Sequence, residues 1–286
     1  MIRRVRASFA AAAWAAALTT SLPAQSLRTV VTSRERTDES ELNVSIDFAA
    51  GRFSLKPQAG RALFTQSLTY DEDKFTPRGG YQREGHALSL GLSTLNGHAT
   101  TINSHTAQVL DLTLTPYVPM RLNLKLGAVS ADLELGGLGI ASALIETGAS
   151  EGHVRFSAPN RMRCESLTMH AGAAEFTAEG LGNARCEQIE LKGGVGDLTM
   201  DFGGAWDSAV ETHARVELGL GALTLRLPRD LGVAIHVQKF LVSFDGAGMV
   251  QRGTTYYSRN YESADTKLDI DINAALGNIQ VEWIGH

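Results

Sequence analysis

Prolines are scarce, seven in 286 residues, and aromatic side chains make up only 7% of the chain. Large rings are therefore too few to fill a β-sandwich, and long strands meet few breaks. Charge of one sign is missing as well. A formal net charge of −5 gives no concentrated cationic field, and without one nucleic acid is excluded as a partner. No H-E-x-x-H and no Cys/His group at zinc spacing occurs among the eight scattered histidines, so no metal or other cofactor is expected. After the first 26 residues no apolar run approaches the roughly 18 residues of a membrane-spanning helix.

Glycine, with 29 residues, is what the chain has in quantity. Together with a 43% hydrophobic share it points to an all-β chain rich in tight turns, with a core of small aliphatic side chains. At the N-terminus Arg3, Arg4 and Arg6 precede the apolar run Phe9 to Leu18 and the stretch Ser21-Leu22-Pro23-Ala24. That is the pattern of a secretory signal peptide over residues 1–25, cleaved after Ala24 or Gln25. With no cysteine near that site, a lipid anchor has no attachment point. The expected location is the periplasm or the exterior, without a transmembrane segment in the mature chain.

A repeat organises the rest. With a shift of 22, Leu167 falls on Ile189, Met169 on Leu191, Gly172 on Gly194, Phe176 on Leu198 and Cys164 on Cys186. Apolar, small and polar positions match together, which is the signature of a solenoid. The template places an apolar anchor after others seven and nine positions earlier. It puts Leu133, Val154, Phe176, Leu198, Leu223 and Ile279 in one column, with Phe53 in a detached first copy. Each copy reads as strand, glycine turn, strand, with alternate side chains facing inward. The predicted fold is an all-β parallel β-solenoid of about 22-residue rungs with hairpin or loop caps, forming one domain over 26–286. Residues 26–111 hold the first rung and an irregular insertion, 112–243 the regular rungs, and 244–286 a loop insertion and a final rung. The segments Pro57 to His98 and Phe244 to Thr266 depart from the period and are candidate caps.

These residues resemble a known family. Leu112 to Leu138, LTLTPYVPMRLNLKLGAVSADLELGGL, and Pro159 to Trp206, with AGAAEF, GLGNA and GGVGDLTMDFGGAW, are similar to the bacterial toast-rack domain. Leu218 to His236, LGLGALTLRLPRDLGVAIH, resembles the C-terminal domain of LiaF-type cell-wall-active antibiotic response proteins. The resemblance implies a stacked β-solenoid in an exported or cell-envelope protein, with little catalytic expectation. The chain lacks the transmembrane helices of those response proteins.

Several residues carry candidate chemistry. In-register rungs would bring Cys164 and Cys186 to about 4.8 Å, close enough for a disulfide, although two stacked free thiols fit the same spacing. Asp132, Glu175 and Asp197 recur at the bend, yet the spacing of a calcium loop is absent. Glu179, Asp201 and Arg226 occupy equivalent positions on successive rungs, where carboxylates of a glycosidase could stand. Stacking produces such gaps whether or not there is catalysis. Tyr256, Tyr257 and Tyr261, with Arg259, form the one dense aromatic cluster, suited either to covering the last rungs or to meeting a ligand or partner. The leading expectation is a non-enzymatic binding or scaffold protein whose partner is a cell-envelope protein or glycan. The alternatives are a polysaccharide-acting enzyme and an adhesin-like module assembling end to end.

Overall fold

The computed structural model describes residues 26–95, 108–148 and 151–285. The N-terminal part contains β1 (Leu27–Glu35), β2 (Leu42–Pro57), β3 (Ala62–Asp71), β4 (Phe75–Gln82), β5 (Ala87–Thr94) and β6 (Val109–Leu114). The middle contains β7 (Met120–Glu134), β8 (Ile140–Thr147), β9 (Gly152–Arg155), β10 (Cys164–Glu179), the single-turn α1 (Leu181–Ala184) and β11 (Cys186–Asp201). There follow β12 (Thr212–Pro228), β13 (Gly232–Asp245), β14 (Val250–Arg252), β15 (Thr255–Tyr257) and β16 (Lys267–Ile284). The chain is all-β, and its strands join in one 16-stranded sheet.

The centre of that sheet is a parallel ladder. Leu122 pairs with Ala143, Ala143 with Leu167, Leu167 with Ile189 and Ile189 with Ala214, so successive steps span 21, 24, 22 and 25 residues. Alternation along β7 and β16, broken in each only at the glycine bend, sends every second side chain of the flanking segments into the core, as a pleated strand with one dry face requires. Ile46, Leu124, Ile145, Met169, Leu191, Val216 and Ile272 form one buried column across seven rungs. Each such side chain contributes about 1.5–3 kcal/mol by leaving water.

Three sequence expectations change. First, the glycine segments do not break each copy into two strands, because β10, β11, β12 and β16 run unbroken through them. Glycine is needed there for close approach: Gly221 and Gly277 both have φ +141°, and a Cβ on either would lie 1.8 Å from the carbonyl oxygen of the glycine on the preceding rung. The breaks fall instead at corners such as Gly180–Arg185, where buried Asn160 and Asn183 occupy the backbone. The Nδ2 of Asn160 donates to the carbonyl of Ile140 at 2.8 Å, and that of Asn183 to the carbonyl of Phe156 at 2.8 Å.

Second, the anchor column is displaced by two residues on two rungs. Phe176 pairs with Gly152, not Val154, and Ala131 rather than Leu133 stands beside Phe53. The Phe176 ring fills the space over Gly152, where a Cβ would come within 2.5 Å of it. A slip of two keeps every apolar side chain inward, so alternation alone cannot detect it. The shift also removes Asp132 from the column of Glu175 and Asp197, placing it beside His153.

Third, stack order differs from chain order at both ends. β5 and β6 lie together along β2 on the side away from β7, forming a rung within the segment read as an irregular insertion. At the other end β16 inserts between β12 and β13. Antiparallel strands then cover the outermost rungs: β3 and β1 beyond β6, β4 beside β5, and β15 and β14 beyond β13.

Cys164 and Cys186 are directly paired across β10 and β11 and joined by a disulfide, with Cα atoms 4.2 Å apart. Closing a loop of this length stabilises by about 3 kcal/mol in chain-entropy terms.

Candidate functional site

The row that contains the glycosidase-like candidates is longer than expected and satisfies itself. Register aligns Glu134 with Arg155, Arg155 with Glu179, Asp201 with Arg226, and Arg226 with Glu282. Arg155 lies 3.2 Å from Glu179 and 3.9 Å from Glu134, and Arg226 lies 3.1 Å from Glu282. Asp201 accepts the backbone N–H of Gly203 at 2.7 Å. Partial burial works to raise the pKa of Glu179, but His153 and Arg155 beside it outweigh that and hold it below the ordinary carboxylate value. A carboxylate so held stays ionised and is a poor general acid. Apart from Asp201, this row consists of charge pairs near the C-terminal ends of neighbouring strands. Among the described residues, no group of three or more His, Cys, Asp or Glu is placed to hold a metal ion.

The tyrosine cluster packs over the last rung. Tyr256 pairs with Ile235 and lies 4.4 Å from the Phe244 ring, centroid to centroid. Tyr257 meets Tyr261 edge to face at 5.0 Å, with Arg252 over the Tyr257 ring and the Lys267 ammonium over the Tyr261 ring. All three tyrosines are half-buried, while Arg259 is exposed. The aromatic rings thus form the support, and the free polar group of the cluster is the guanidinium.

Arg259 lines an open cleft of about 340 Å³ together with Arg229, Gly248, Ser258, Asn260 and Trp283. Three corners meet there because β16 lies between β12 and β13: Arg229 follows β12, Trp283 stands near the end of β16, and Ser258 to Asn260 follow β15. Hydrogen bonds fix each wall. The Arg229 N–H donates to the carbonyl of Ile284 at 3.2 Å, and the Asn260 amide donates to the carbonyls of Arg229 and Asp230 at 3.2 and 3.1 Å. The Trp283 indole N–H donates to the carbonyl of Ala247 at 2.6 Å, and the Ser258 hydroxyl oxygen accepts the Val233 N–H at 2.9 Å. Arg229 and Trp283 escaped the sequence reading, since no periodic spacing links positions 229, 259 and 283. The rarity of tryptophan, three in the chain, was the one available signal.

A second surface feature follows from register. Val195, Leu220, Leu276 and Leu241 are neighbours on four successive rungs and are 52%, 43%, 44% and 62% exposed. They form an aliphatic ridge beside the glycine bend.

Together these features define an all-β ladder protein with an open surface cleft at one end. The chain belongs to the toast-rack family: the N-terminal domain of toast_rack, DUF2154, matches residues 23–178, more than half of the chain. The C-terminal domain of the cell wall-active antibiotics response protein LiaF matches residues 180–281. The two matches meet at the corner after β10, yet the β10–β11 ladder and the core run across that point without interruption. No curated relative matches the chain. Among solved structures, it is similar to a proposed cell adhesion protein of Clostridium sporogenes at 17% identity and TM-score 0.48, over 90% of this chain and 100% of that one. It is also similar to a proposed adhesin of Parabacteroides distasonis, at 9% identity and TM-score 0.35 over 90% and 97% of the two chains. A proposed lipid binding protein of the same organism follows at 10% identity and TM-score 0.33, over 91% and 97%. These similarities are too distant to carry a function across. No helix among the described residues is long and apolar enough to cross a membrane, and residues 1–25, read above as a signal peptide, lie outside the described ones.

Proposed function

We propose that this chain is an exported, non-enzymatic binding module of the bacterial cell envelope, a β-solenoid of rungs near 22 residues that presents its C-terminal cap to an envelope component. The observation that carries this reading is the contrast in charge pairing. The row of carboxylates and arginines suited to sugar chemistry is occupied by mutual pairs. At the cap, by contrast, Arg229 and Arg259 line a cleft and form no ion pair among the described residues. Unpaired, positioned donors at a cleft are what a binding surface offers. A polysaccharide-acting enzyme has less support, because His153 and Arg155 hold Glu179 ionised, without the proton a general acid gives. End-to-end assembly has less support too. Antiparallel strands lie over the outer rungs, and the outermost of them, β1, has charged Arg28, Arg34 and Glu35, which discourage strand addition.

Retention of the purified chain on washed envelope fractions tests the proposal. The wild type is expected to be retained and the R229Q/R259Q variant to lose most of that retention; equal retention of both would sink the reading.

A further inference from the structure

We infer that the cleft formed by Arg229, Arg259 and Trp283 is a site for an acidic saccharide, with a ring carboxylate held by the two guanidiniums and the apolar face of the sugar laid on the indole. The inference rests on the binding-module reading and names the ligand class of the same site. Charge is the first argument. Other arginines of this cap have carboxylate partners, Arg226 with Glu282 at 3.1 Å and Arg252 with Glu262 at 3.0 Å. No acidic residue lines the cleft. Two arginines lining one cleft without an ion-paired carboxylate among the described residues leave a local positive potential in a chain of net charge −5, and an anion complements it. Planar guanidinium forks match a carboxylate by paired N–H···O bonds.

The tryptophan gives the rest of the ligand. Its N–H is already spent on the Ala247 carbonyl, so the indole offers the cleft an apolar surface, not a donor. A bare inorganic anion would leave that surface unused, whereas a sugar ring carrying a carboxylate uses both walls. Size agrees, because about 340 Å³ is at the lower end of ligand clefts and suits one sugar unit with its neighbours passing through the open mouth. The walls are also set in advance by the bonds of Asn260, Trp283 and the Arg229 backbone. That lowers the ordering cost of binding.

Calorimetric titration of the purified chain with trigalacturonate, with the neutral galactose trimer and with inorganic phosphate tests the assignment. Trigalacturonate is expected to bind the wild type with a dissociation constant of about 1 mM or below, and at least about tenfold more weakly to R229Q/R259Q. The neutral trimer and phosphate are each expected to bind the wild type at least about tenfold more weakly than trigalacturonate. Unchanged melting of the double variant separates lost contacts from lost folding. No saturable binding of trigalacturonate would overturn the assignment, and so would a neutral trimer or phosphate that binds equally well. If trigalacturonate fails while envelope retention still depends on the two arginines, the ligand class falls and the binding-module reading stands. If retention is independent of them, that reading falls as well.

Discussion

The two ends of the ladder are built on one plan and finished differently. At each end one long strand is tucked a rung inward of others: β2, the second strand, inside β5 and β6, and β16, the last, inside β13. The N-terminal end is then covered by long strands, with β1 and β3 pairing over nine positions. One of its carboxylates is enclosed. Glu39, almost wholly buried, accepts the Thr37 N–H at 2.7 Å, the Thr37 hydroxyl at 3.1 Å and the Tyr81 hydroxyl at 3.0 Å, with Arg34 at 3.7 Å and stacked over Tyr81. The C-terminal end has only the three-residue strands β14 and β15, and the uncovered corner is where Arg229, Arg259 and Trp283 meet. The closed end encloses a carboxylate with its partners, whereas the corner beside the short hairpin has two arginines without an ion pair among the described residues.

That comparison fails or sharpens on three measurements. The largest effect is expected at the closed end. Glu39→Ala removes a buried carboxylate and leaves half-buried Arg34 and Tyr81 without their acceptor, so chemical denaturation should show a loss of about 3 kcal/mol. The same carboxylate carries an acid dependence. Burial works to raise its pKa, but the hydrogen bonds from Thr37 and Tyr81 prevail and hold it below the ordinary value. Its stabilisation is therefore present above the unfolded-state value of about 4.3 and lost as pH falls through the lower folded-state value. The gap between wild type and variant should close on acidification.

The next effect concerns the rungs between the two ends. Gly152→Ala should cost about 2 kcal/mol, because its Cβ meets the Phe176 ring, and much less in an F176L background. Additive costs in the double-mutant cycle would restore Val154 as the partner of Phe176 and refute the displaced register. The smallest effect is expected at the open end: R229Q/R259Q should alter stability by no more than about 0.5 kcal/mol, since neither guanidinium has an ion-pair partner to lose among the described residues. A loss as large as that of Glu39→Ala would make the two caps equivalent and remove the reason to see a binding surface at one of them.

Legibility in the sequence followed bulk. Between β10 and β11 large side chains oppose large ones, Met169 with Leu191 and Phe176 with Leu198, and the 22-residue shift was readable down to the paired cysteines. Where Ala131 and Gly152 occupy the anchor column, the apolar weight moved to Leu133 and Val154, and the reading slipped by two. The tyrosines were legible as a cluster with two open roles, covering the last rungs or meeting a ligand, because choosing between them depends on Phe244 and β13 behind them.

The sequence by itself determined an all-β chain, the inward and outward faces of its strands and the family. Those are local properties of alternation and spacing. Only the tertiary structure decided which strand sits beside which at the two ends, how the charged row neutralises itself, and that positions 229, 259 and 283 share one cleft. The physical reason is that parallel pairing is indifferent to chain order. Once apolar side chains face inward, a strand can enter the stack between two others, and the packing of large side chains against small ones selects the register that alternation leaves open.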